Sequence, residues 1–143
     1  MKLIRKLKLQ RCVKLLMKDL DDIAKAKLLA NAYLFVAPFT QNLKTILIPP
    51  SSILEAISAG IPVVASRVAG TWEIVNDDVG RLLVPFNEST IEVWYNTLKT
   101  LLEDKYLREV LSQNARRIAQ LYDSRIVAEH ILRLYVEYLD KSE

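Results

Sequence analysis

Disulfide and metal chemistry have almost nothing to work with in this chain. Its one cysteine, Cys12, excludes a disulfide framework and any zinc site built on cysteines, and it suggests a reducing compartment. We read it as a small apolar residue. Its one histidine, His130, has no partners at ligand spacing, so no metal site and no cofactor is expected. No apolar run approaches the ~18 residues of a membrane span. The N-terminus is basic, but it lacks a long apolar centre and a small-residue cleavage site, so it is not a secretory signal. The net charge of +3 is mild, and no basic stripe is interleaved with aromatics, which argues against a nucleic-acid partner. Acidic residues are missing from two places: there is none before Asp19 and none between residues 23 and 54. Glycine is scarce as well, and its three occurrences, Gly60, Gly70 and Gly80, fall within one short stretch.

What is present is a core. Hydrophobic residues make up 51% of the 143 positions, enough for one globular domain. The most informative part is residues 51–85. Ser52 and Glu55 have the spacing of an S-x-x-E capping box, which predicts a helix start. Gly60 predicts a left-handed cap that ends this helix, with Pro62 preventing its continuation. Residues 62–66 form an apolar run suited to a strand buried on both faces. Gly70 and Thr71 open a second short helix, with the Thr71 hydroxyl as a candidate cap. Residues 76–80 make a turn, and residues 81–84 a second strand stopped by Pro85.

Upstream, residues 1–18 are ambiguous between strand and helix. Residues 19–31 predict a helix with acids in its first turn, as the helix dipole favours. Residues 32–37 predict a buried strand, and 38–50 a loop with an apolar centre. Downstream the chain is helical. Ser89 and Glu92 make a second capping box, followed by Trp94, Leu98 and Leu101 at helical spacing. We expect Trp94 and the tyrosines to lie on helix core faces. A last helix carries Val127, Ile131, Leu134, Tyr135 and Tyr138, with its cap near Asp123 or Ser124. Alternating strands and helices followed by helices predict an α/β domain with a parallel sheet. Ligands bind such sheets at the C-terminal ends of the strands. We divide the chain into a basic segment, 1–18, and one α/β domain, 19–143.

Residues 54–85, LEAISAGIPVVASRVAGTWEIVNDDVGRLLVP, resemble the donor-binding half of retaining GT-B glycosyltransferases of family four, the group 1 transferases. Residues 28–39 and the helical tail fit the same pattern, so the resemblance covers roughly residues 24–138. It implies a partial Rossmann-like domain with flanking helices and a strand at residues 12–16. It also implies transfer of a sugar from a nucleotide-diphosphate sugar with retention, without a catalytic metal. In such proteins the donor's diphosphate sits on a helix N-terminus, here the amides of Ser52, Ile53 and Leu54. Glu55 stands where the family's second glutamate bonds the ribose hydroxyls, work suited to a carboxylate that accepts from two neighbours at once. The alternative for Glu55 is helix capping alone. The family's first glutamate falls at Leu47. Gln41 and Asn42 are candidate sugar contacts, and Lys44 a candidate phosphate contact. Glu73 reads as structural, and no residue is assigned catalysis.

The resemblance also implies that an acceptor domain and the opening strands of the donor domain have no counterpart in these residues. We therefore expect the isolated chain to be weak or inactive as a hexosyltransferase-like component. An unpaired strand edge beside residues 32–37 would seek a second protein chain or a second copy. Two other classes remain: a non-catalytic interaction or regulatory subunit, and a peripheral membrane adaptor led by the basic N-terminus. A cytoplasmic location, with contact at the inner membrane face in the last case, goes with these readings.

Overall fold

The computed structural model of the chain describes residues 2–40, 50–68 and 70–141. Val63–Ser66, uncharged and mostly β-branched or small, forms the middle strand of a three-stranded parallel sheet and is buried along its whole length. The elements in chain order are α1 (Lys2–Lys6), α2 (Asp22–Ala30), β1 (Phe35–Ala37), α3 (Ser51–Ser58), β2 (Val63–Ser66), α4 (Thr71–Ile74), β3 (Gly80–Leu83), α5 (Ile91–Glu103), α6 (Lys105–Ala119) and α7 (Ser124–Asp140). The sheet order is β1-β2-β3, with Val63 opposite both Phe35 and Gly80. Parallel neighbours require crossovers, and α3 and α4 supply them.

Because side chains alternate across a strand, β2 feeds two cores. On one face Val63 and Ala65 join Ile53, Ala56 and Ile57 of α3, with Ala115 of α6. The helical spacing of those three α3 residues puts them on one stripe. On the other face Val64 joins Trp94, Leu101 and Leu111. Trp94 is 3% exposed; its indole N–H donates to the Val84 carbonyl at 3.1 Å, and Phe86 meets its ring edge-on at 5.7 Å. Thus α5 is held to the end of β3. α6 closes the structure by contributing Leu111 to one core and Ala115 to the other.

Two glycines are fixed by their backbone surroundings, Gly60 as the expected left-handed cap and Gly80, expected in the turn, as the first residue of β3. Gly60 has φ 75°; its N–H donates to the Ile57 carbonyl, and the Ile61 N–H to the Ala56 carbonyl, both at 2.9 Å. This is the paired C-terminal closure that a left-handed residue permits. Gly80 lies against the Val63 carbonyl, which a Cβ would overlap.

Several sequence expectations are corrected. α3 starts at Ser51, with Pro50 in the cap position and no side-chain cap bond, so Ser52 and Glu55 form no capping box. Glu55 lies in the second turn, too far along to reach back, and proline has no N–H to receive it. The second box is likewise displaced. Asn87 and Thr90 make it, ahead of α5, rather than Ser89 and Glu92. The Thr71 hydroxyl does not cap α4. Its one proton is shared between the carbonyls of Ser66 and Val68, at 2.9 and 2.7 Å, and its oxygen accepts from the Val68 N–H, stapling the turn after β2. Residues 12–16 form no strand, and β1 is confined to Phe35–Ala37, with Val36 40% exposed. The tyrosines are exposed, unlike Trp94, and so is the stripe of Val127, Ile131, Leu134, Tyr135 and Tyr138 on α7. α7 does begin at the expected cap, where the Asp123 carboxylate accepts from the Arg125 N–H at 2.9 Å.

Candidate functional site

The end of β2 and the segments that follow β1 and β3 meet at one backbone atom. The Phe39 carbonyl, two residues past β1, accepts from the buried Ser66 hydroxyl at 2.7 Å and from the Phe86 N–H at 3.2 Å. The Arg67 N–H extends the β2–β3 ladder by donating to the Leu83 carbonyl at 2.7 Å. The exposed Arg67 directly follows β2 at this end.

In the first turn of α3, Ser52 and Leu54 are half-buried, while Ile53 belongs to the core. The Ile53 amide already donates to the Pro50 carbonyl at 2.9 Å, so it is less available to an anion than the sequence suggested. The amides of Ser51 and Ser52 precede the first intrahelical acceptor, as in any helix start. Gln41, Asn42 and Lys44, together with Leu47, lie outside the described residues.

Glu55 has a partner that sequence reasoning missed. Its Oε1 accepts from Lys25 Nζ of α2 at 3.1 Å, and both side chains are 37% exposed. Asp22 lies 3.9 Å from the same ammonium. The hydrogen bond from Lys25 to Glu55, then the Glu55 charge and more weakly that of Asp22, hold the Lys25 pKa above its ordinary value against an opposing desolvation. These three residues, with Ala26, Leu29, Ala30 and Ala59, line an open cleft of about 410 Å³ between α2 and α3. It is apolar along its floor and ionic at its rim, and it can take a flat or amphipathic group beside a carboxylate. Among the described residues no group of His, Cys, Asp or Glu has the arrangement of a metal site.

Parallel strands crossed by α3 and α4, with helices on both faces, are the core of the C-terminal half of GT-B glycosyltransferases. Sucrose-phosphate synthase from Thermosynechococcus elongatus superposes on 98% of this chain with a TM-score of 0.74 at 22% identity, and the superposition covers 33% of that protein. Anabaena HepE, solved with UDP, with UDP and glucose, and with UDP-glucose, superposes on 95% of this chain at TM-score 0.71 and 26% identity, over 35% of its own length. Among curated proteins, the sulfoquinovosyl transferase SQD2 of Arabidopsis thaliana is 38% identical over 80 residues, which span 55% of this chain and 16% of that enzyme. The family model of group 1 glycosyl transferases matches residues 1–118, and the chain belongs to that family. It corresponds to about a third of the solved relatives' length.

Proposed function

We propose that this chain is a donor-binding domain that holds a nucleoside diphosphate sugar. The single observation that carries the reading is Glu55 on the rim of the α2–α3 cleft, in a fold that superposes on a UDP-glucose-binding relative over 95% of its residues. In this reading the ribose hydroxyls donate to the Glu55 carboxylate, and the diphosphate lies toward the first amides of α3. Lys25 then has two roles: it holds Glu55 through the observed hydrogen bond, and it must share or release the carboxylate when nucleotide binds. The reaction served would be sugar transfer with retention, in which the bond between the anomeric carbon and the diphosphate breaks and one to an acceptor oxygen forms.

The absence of any acid between residues 23 and 54 leaves the sugar itself without a carboxylate to fix it from that stretch. Productive transfer demands positioning within about half an ångström. Binding without turnover is therefore the expected behaviour of the 143-residue chain alone.

The test is calorimetric titration of the full chain with UDP, GDP and ADP. Lys25→Met is expected to keep or tighten binding, because it frees the carboxylate, whereas Glu55→Ala is expected to abolish it with the helix content unchanged. Equal affinity in wild type and Glu55→Ala would overturn the ribose assignment. Rapid turnover of UDP-glucose by the purified chain would overturn the expectation of binding alone.

A further inference from the structure

Charge is segregated along this chain. Positions 2, 5, 6, 8, 11, 14 and 18 are Lys or Arg, and every one of the 17 acids follows them, so the remaining residues carry 13 basic side chains against 17 acidic ones. The basic segment stands clear of the core. Residues 2–19 are exposed apart from half-buried Ile4, and α1 buries none of its residues.

It nevertheless has a shape of its own. α1 closes as α3 does, but with Lys8 in the left-handed position at φ 56°; the Lys8 N–H donates to the Arg5 carbonyl at 3.1 Å and the Leu9 N–H to the Ile4 carbonyl at 2.9 Å. The chain then folds back so that Ile4, Arg5, Gln10, Val13 and Leu15 line one shallow cleft of about 260 Å³. Aliphatic side chains remain outside this fold-back among the cations. Leu3 is 65% exposed, Leu7 54% and Met17 81%.

We propose that residues 2–18 are a docking surface for an anionic lipid bilayer. Lys and Arg lie over the acidic headgroups, and Leu3, Leu7 and Met17 enter the headgroup boundary. The two signals suit a bilayer because charge attracts from a distance while the aliphatic groups need an apolar phase on arrival. A nucleic acid fits less well, since the segment has no Phe, Trp or Tyr on which a base could stack. A second copy could offer its acidic remainder to the charges, and the experiment distinguishes that case.

The full chain is sedimented with vesicles of phosphatidylcholine alone and of phosphatidylcholine with one third phosphatidylserine. Partition onto the anionic vesicles is expected to exceed that onto neutral ones by at least about tenfold and to weaken as salt shortens the screening length. The combined variant Lys2→Gln, Arg5→Gln, Lys6→Gln is expected to lose on the order of a hundredfold in partition. Leu3→Ser with Met17→Ser is expected to keep the low-salt attraction and lose whatever binding survives high salt. Arg133→Gln on α7 should leave partition unchanged. Equal partition onto both vesicle types, or none onto either at low salt, would overturn the proposal. Low-salt self-association in light scattering, abolished by the triple variant while vesicles are ignored, would overturn it in favour of a contact between copies.

Discussion

Residues 53–65 and residues 3–17 are both rich in aliphatic side chains, yet the first stretch lies in the core and the second in water. Every buried residue among those described lies between Ala37 and Ala115. The difference is one of pattern. In the first stretch the apolar positions follow a helical stripe, then the Gly60 closure, then a strand without charge. In the second a cation recurs at least every fourth residue, so no continuous apolar face can form on either period. Aliphatic content supplies the driving force for burial, and the spacing of charge and glycine decides whether it can be used.

The comparison can be broken most severely at Gly80. Gly80→Ala places a methyl group into the Val63 carbonyl, in a ladder where neither backbone can retreat. Loss of the cooperative urea transition is the expected result; a variant that unfolds like wild type would show the β2–β3 contact to be softer than its geometry. Next in size, Trp94→Ala removes the largest side chain of the second core and should lower stability by about 3–5 kcal/mol. The counterpart in the basic segment, Met17→Ala, should move the same transition by no more than about 0.5 kcal/mol. Similar losses for both would mean that residues 2–18 belong to the folding unit after all.

The smallest effect concerns pH. The folded Lys25 pKa is raised above its usual value of 10.5, mainly by the hydrogen bond to Glu55. Its contribution is therefore fully present below that pH and disappears as pH rises through the raised value. The gap between wild type and Lys25→Met in urea midpoint should be constant from neutral pH to about 10 and close above it. A gap that persists at the highest pH would assign the effect to packing of the lysine stem.

The unit from α3 to β3 was readable because glycine and proline mark its turns, and each mark has a local physical cause. The displaced capping boxes show the limit of such marks. An S-x-x-E spacing is necessary for the box but does not fix where the helix begins, and α3 starts two residues earlier than a Ser52 cap would place it, with Pro50 in the cap position. Residues 12–16 carry part of a strand's pattern, but a strand exists only in a pair, and that information lies elsewhere in the fold. At the candidate site, the motif is what singled out Glu55. Its ion pair with Lys25 was not legible there, because the contact joins positions 30 residues apart on two helices whose packing no local pattern encodes.

The shared acceptor at Phe39 has a mechanical consequence. Two donors from two other chain segments converge on one carbonyl, so the ends of β1, β2 and β3 cannot be displaced independently. A push on the segment after β3 is passed through Phe86 to the residues after β1, and from there through Ser66 to β2. The mouth of the sheet is therefore tied together through one atom, and separating the chain past β1 from β2 or from the segment after β3 requires breaking one of these two bonds.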